Sequence, residues 1–134
     1  MTTRLIAAGN IGSAPEFREF PNDNEEPRRL LRLNVYFDNP VPQRDGTFKD
    51  RGGYWAAVEW WHRDAESWSR LFQKGMRVLV DGRTVCDRWE DEEGPRTAFK
   101  IEAQHVAMLP YRLASVTMAP RPADDEQPSD DATA

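Results

Sequence analysis

The chain has a single cysteine, Cys86, in 134 residues. That excludes an internal disulfide and any thiolate cluster around zinc. Its two histidines, His62 and His105, sit apart, outside any nucleophile motif and away from other ligands. Spacing therefore assembles neither a catalytic dyad nor a metal centre, and His105, in an apolar strand end, reads as structural. No apolar run approaches the roughly 18 residues that a membrane-spanning helix needs. There is no Gly-rich phosphate loop, and Met1-Thr2-Thr3-Arg4 leads straight into a strand-like segment without the apolar region of a signal peptide. These absences predict a cytoplasmic, non-enzymatic protein with no catalytic residue, no metal and no cofactor. The acidic run Glu90-Asp91-Glu92-Glu93 reads as a solvated turn, not a cation site.

What is present describes one domain with a wide polar surface: 39% of residues are apolar and 31% charged. The net charge of −5 is unevenly spread. Residues 1–118 hold 17 Lys/Arg against 18 Asp/Glu, a near balance. Residues 119–134 set Arg121 against Asp124, Asp125, Glu126, Asp130 and Asp131. The body is thus nearly neutral and rich in arginine, a residue that pairs with phosphate and stacks on bases. The end is Pro-, Ala- and Asp-rich, a composition that does not order itself. We expect a folded domain over 1–112 and a disordered acidic tail over 113–134.

Period-2 alternation predicts five strands. They are Leu5–Ala8, Leu30–Phe37, Tyr54–Trp61, Arg77–Trp89 with a bend at Gly82, and Thr97–Ala103. Leu31, Leu33, Val35 and Phe37 share one face of the second, with Arg32, Asn34 and Tyr36 opposite. In the third, Val58 and Trp60 oppose Trp55, Ala57, Glu59 and Trp61. In the last, Phe99, Ile101 and Ala103 point inward. One helix fits between the third and fourth strands, capped by Asp64, with an apolar stripe of Ala65, Trp68, Leu71 and Phe72 and with Gly75 at its C′ position. Glycines at 9 and 12 predict a bulge or sharp bend. Pro21–Pro27 reads as a polar turn, 39–53 as a long loop without its own secondary structure, and Glu90–Pro95 as a hairpin turn. The order β-β-β-α-β-β is that of a five-stranded OB barrel or of another small all-β barrel.

Five tryptophans need an explanation. Trp60 and Trp68 fall on apolar faces and read as core. Trp55 and Trp61 share the polar face of one strand, and Trp89 ends the next. Rings on polar faces call for a partner, which is either a nucleobase or another protein surface. Around them lie Arg32, Lys49, Arg51, Arg77, Arg83, Arg88 and Arg96. Aromatic rings interleaved with cations suit single-stranded nucleic acid: rings stack on bases and cations track phosphates. For any one arginine, a solvated surface position is the better explanation; for the group beside three outward tryptophans it explains less.

Several segments resemble bacterial single-stranded DNA-binding (SSB) proteins. Leu5-Ile6-Ala7-Ala8-Gly9-Asn10-Ile11-Gly12-Ser13-Ala14-Pro15-Glu16-Phe17-Arg18 is similar to the family's opening signature. Lys74-Gly75 with Val78, Val80, Asp81, Gly82 and Arg83 resembles its Lys-Gly-x-x-Val-x-Val-Glu-Gly segment. Arg88-Trp89-Glu90-Asp91, the Gly94-x-Arg96 turn and Ile101-Glu102-Ala103 resemble its closing hairpin. The likeness spans residues 4–109 and implies an OB fold that binds and protects single-stranded DNA in replication, recombination or repair. It implies base stacking by Trp55, Trp61 and Trp89, with Tyr36 or Phe48 standing in for a further loop aromatic, and assembly as a homotetramer built as a dimer of dimers.

Two departures stand out. The family's Trp-His-Arg is displaced to Trp61-His62-Arg63, which bears on the subunit contacts its histidine supports. The family's hydrophobic tail tip, which docks partner enzymes, is absent: the chain ends Asp130-Asp131-Ala132-Thr133-Ala134. The alternatives are an accessory ssDNA binder of a mobile element or primosome, and an OB-fold protein-interaction module.

Overall fold

The structure, a computed structural model, describes residues 3–122. Alternation is obeyed most strictly where the sequence is most regular. Strand β3 (Glu25–Phe37) buries Leu31, Leu33, Val35 and Phe37 and leaves Arg32, Asn34 and Tyr36 at the surface. Strand β6 (Tyr54–Trp61) buries Val58 and packs Trp60 against Trp68 and Phe72. These two strands pair antiparallel from Leu30–Trp61 to Phe37–Tyr54. Strand β1 (Thr3–Ile11) pairs with β7 (Arg77–Asp91), β7 with β8 (Gly94–Met108), and β8 runs parallel to β6. The circuit closes where β1 also pairs with β3, at Asn10–Tyr36 and Ile11–Val35. A ring of five strands, β1-β3-β6-β8-β7, with a helix between β6 and β7 in the chain, is the OB fold. Its core holds Ile11, Leu31, Leu33, Val35, Val58, Val78, Val80, Ile101 and Val106.

The structure corrects the sequence reading in several places. The glycines after Ala8 do not end β1; the strand runs to Ile11 and changes partner there, Asn10 facing both Arg77 and Tyr36. The bend is what closes the ring. Residues 21–27 are not one turn. Strand β2 (Glu16–Asn22) returns into β3 through Asp23-Asn24, with a register shift after Phe20 that leaves Pro21 and Pro27 outside the paired positions. The loop 39–53 has secondary structure: β4 (Pro40–Pro42) and β5 (Phe48–Asp50) form a small separate hairpin.

Helix α1 (Ala65–Ser69) is a single short turn. Asp64 precedes it without a side-chain cap bond, Leu71 is exposed, and Phe72 reaches the core from the following turn. Gly75 does adopt a left-handed φ of +90°, but it turns the chain into β7, well past the helix end. Phe99 is exposed, not core, because the β7–β8 hairpin extends beyond the ring as an arm. His105 is exposed as well, its Nδ1 3.4 Å from Asp81. Beyond β8, Leu113 still packs on the core, while Val116 and Met118 are exposed. Most of the acidic tail lies outside the described residues.

Gly82 fulfils its reading as a bend. It sits at a register shift in the β7–β8 ladder, and a Cβ there would lie 2.9 Å from the Ala103 Cα and closer still to the Glu102 carbonyl oxygen. Both obstacles are backbone and cannot rotate away. Gly82→Ala is therefore expected to destabilise the fold by about 1–3 kcal/mol, the usual range for overpacking, seen as a lower midpoint in thermal circular dichroism; an unchanged midpoint would refute the close approach.

Candidate nucleic-acid interface

Register places the outward residues of β3 and β6 opposite one another: Trp61 by Leu30, Glu59 by Arg32, Ala57 by Asn34 and Trp55 by Tyr36. Two aromatic platforms result, about 20 Å apart at some 3.3 Å per strand residue. At one, Trp55 is 58% exposed, with its ring 5.2 Å from Tyr36. Its far edge lies over Gly12, where any Cβ would run into the indole. At the other, Trp61 is half-buried: the Arg28 guanidinium lies 4.1 Å over its ring and Phe20 flanks it at 5.7 Å. Between the platforms is an open cleft of about 400 Å³ lined by Ser13, Glu16, Arg18, Arg32 and Asn34. Trp89 stands on the same side of the sheet, since Ala57 faces Lys100, Lys100 faces Val85, and Trp89 is an even step from Val85. The three predicted indoles thus share one side.

The cations divide sharply. Arg32 approaches Glu59 at 4.0 Å, and Arg83 pairs with Glu102 at 2.8 Å. Arg77 forms a two-pronged bond with Asp38, at 2.8 and 3.3 Å, and Arg96 holds Asp91 and Glu93. Lys100 bridges Glu59 at 3.0 Å and Asp87 at 3.3 Å; the bond to Glu59 raises its pKa. Glu59, almost fully buried, is the hub of this lattice. By contrast Lys49, Arg51 and Arg88 have no carboxylate at ion-pair distance among the described residues, nor does Arg44, all of them exposed.

The β4–β5 arm is held beside Trp55 by one carboxylate. The Tyr36 hydroxyl donates to Asp50, whose other oxygen accepts the Asn39 backbone N–H at 2.8 Å. Phe48, 68% exposed, rides on this arm with Lys49. His62 is stacked 4.2 Å from Trp68 and accepts the Asp64 N–H, so it serves the chain's own fold. Sequence reasoning missed Arg28, Phe20 and Tyr54; the Arg28–Phe20 register across β2 and β3, which flanks Trp61, required knowing that β2 exists. Among the described residues no group of His, Cys, Asp and Glu could hold a metal, and no helix is long and apolar enough to cross a membrane.

A profile of the Single-strand binding protein family matches residues 2–109. The chain belongs to that family. Among SSB relatives, it is 26% identical over 116 residues to a single-stranded DNA-binding protein of Wolinella succinogenes, covering 86% of this chain and 68% of that one. With a Corynebacterium glutamicum single-stranded DNA-binding protein it shares 30% over 122 residues, 89% of this chain and 52% of the other. The chain thus spans about half to two-thirds of these relatives. Of solved SSB folds, the small single-stranded DNA-binding protein of Streptomyces coelicolor superposes with a TM-score of 0.69 at 20% identity, over 84% of this chain and 98% of that one. An SSB of Plasmodium falciparum in complex with ssDNA gives 0.61 at 14% identity, over 80% and 94%.

The Tyr36–Asp50 bond has a pH signature. It holds the Asp50 carboxyl below the usual carboxylate range, helped by the Asn39 N–H, and raises the Tyr36 phenol. A depressed folded-state pKa gives stability that is present above the unfolded value and lost as pH falls through the folded one. The arm contact should therefore hold through neutral pH and fail only in strong acid. In Tyr36→Phe, the Asp50 carboxyl carbon is expected to titrate at higher pH by NMR; an unmoved titration would show that the bond is not formed.

Proposed function

We propose that the protein binds single-stranded DNA without reading its sequence, by stacking bases on Trp55, Trp61 and Trp89 and carrying phosphates on unpaired cations. The observation that carries this reading is the placement of the three indoles on one side of the sheet, two of them about half exposed. Tyr36 and Phe48 extend the aromatic surface, Tyr36 beneath Trp55 and Phe48 from the arm. Stacking and phosphate contacts use no base edge, so single strands of any sequence are accepted and duplex is not. Nothing in this mode requires chemistry on the strand. The two curated relatives carry the same activity in their names.

Among the predicted cations, Lys49, Arg51 and Arg88 are free to take phosphate directly, while Arg32, Arg77, Arg83 and Arg96 must first exchange a carboxylate. The domain acting this way comprises residues 1–112 and the acidic remainder tunes it, competing weakly with phosphate in a salt-screened way. Homotetramer assembly and action in the cytoplasm belong to the same reading.

Oligo(dT) is expected to quench tryptophan emission, and Trp55→Ala or Trp89→Ala to weaken binding by about 1–3 kcal/mol each. Equal affinity in both variants, with the fold intact, would sink the assignment. Salt gives an independent check. If Arg44, Lys49, Arg51 and Arg88 make the phosphate contacts, the slope of log K against log salt should be about −3 per protomer, at about −0.7 per neutralised phosphate on a single strand. A far steeper slope in titrations across a salt series would mean that the carboxylate-paired arginines also engage.

A further inference from the structure

We infer that the strand meets the second aromatic platform through Arg28: a base stacks on Trp61 with the Arg28 guanidinium between them, and the same guanidinium takes a phosphate on its N–H edge. This rests on the reading that the protein binds single-stranded DNA, and it adds a contact residue that differs in kind from the open ring of Trp55.

The two platforms do not show the same group to solvent. Trp55 is 58% exposed, and among the described residues no cation lies over its ring. Trp61 is enclosed instead. Register sets it opposite Leu30, and Arg28, two residues before Leu30 on β3, points to the same side. Arg28 in turn faces Phe20 across the β2–β3 pair. Leu30 has the outward parity of Arg28 and Arg32, yet it is only 3% exposed. Its neighbours on that side are Trp61 in β6 and Arg18 and Phe20 in β2, so its burial marks a small apolar cluster on the outer surface. The Phe20 and Trp61 rings stand 5.7 Å apart in this cluster, and the Arg28 guanidinium lies 4.1 Å from the Trp61 centroid. At that distance the ring quadrupole holds the cation. A base cannot take a ring face that a guanidinium already covers.

What remains open is the guanidinium itself. The arginines near it on β3 are paired, Arg29 with Glu19 at 3.1 Å and Arg32 with Glu59 at 4.0 Å. Arg28 is exposed and has no carboxylate at ion-pair distance among the described residues. Its N–H donors are therefore unspent. A guanidinium is planar on both faces: one rests on the indole, and the other offers a flat surface of the kind on which unpaired bases stack. Its edge matches two phosphate oxygens at once. The indole also restrains a long side chain before the strand arrives, which lowers the ordering cost of binding. Lysine at this position would keep the charge and lose the plane.

Arg28→Ala and Arg28→Lys test the inference, with Trp55→Ala in parallel. Affinity for labelled oligo(dT) is read by anisotropy across a salt series, and contacts by photo-cross-linking of 5-iodouracil-substituted oligonucleotide, with folding checked by circular dichroism. In the wild-type protein the cross-links should spare Trp61, which the guanidinium shields. Arg28→Ala should uncover the indole, so that Trp61 now cross-links, and the slope of log K against log salt should become shallower by about 0.7 for one phosphate lost. Arg28→Lys should keep the wild-type slope but bind roughly fivefold more weakly, as expected for the loss of one stacking contact. A cross-link at Trp61 in the wild-type protein would show that the base displaces the guanidinium, and would overturn the inference. Wild-type affinity in Arg28→Lys would reduce Arg28 to a phosphate contact and overturn the stack. Unchanged slope and affinity in Arg28→Ala, alongside a loss in Trp55→Ala, would overturn the inference and leave the tryptophan reading standing. Failure of the wild-type protein to bind oligo(dT) would instead remove that reading, and this inference with it.

Discussion

The pairing of β3 with β6 runs through eight consecutive residue pairs without a shift, from Leu30–Trp61 to Phe37–Tyr54. Side chains alternate with period two, so a slip of one residue would bury Arg32, Asn34 and Tyr36 and expose four core residues. The register is therefore fixed by the core, and the outer surface inherits it. Tyr36 lies beside Trp55 and Arg32 beside Glu59 because Leu31, Leu33, Val35 and Phe37 have to be inside. The candidate interface needs no positioning apparatus of its own apart from the Tyr36–Asp50 bond that holds the small arm.

That dependence also explains the electrostatics. The middle of the outer surface is a lattice in which Glu59 and Lys100 neutralise one another and their neighbours. Paired in this way, they remove net field from the surface on which the indoles stand. Cations without a carboxylate partner remain on the arms, at Arg44, Lys49, Arg51 and Arg88, and on the sheet at Arg28 over Trp61.

How much of this could be read from the chain depended on whether a feature is local. Strand β6 was legible to its end residues because Trp55 to Trp61 alternate without interruption. Trp60 and Trp68 were legible as core for the same reason. Strands β2, β4 and β5 were not: β2 carries Pro21 beside a register shift, and β4 is three residues with a proline at each end. Phe99 was placed on the correct side of its strand but wrongly inside, since parity tells which way a residue points and not where the body stops. Ion pairing was also beyond reach. Lys100 and Glu59 meet through a parallel pairing between strands far apart in sequence, and nothing local signals it.

Among the described residues, the edge of the sheet formed by β2 has no further strand beside it. An unpaired edge is a template on which other chains can polymerise. Here it carries Glu16, Arg18 and Glu19 among Phe17 and Phe20, and then Pro21, which offers no N–H, at the point where the register shifts. A second β2 approaching it would meet charged side chains and a missing donor. The same irregularity that hid this strand from the sequence reading makes it a poor template for a further strand.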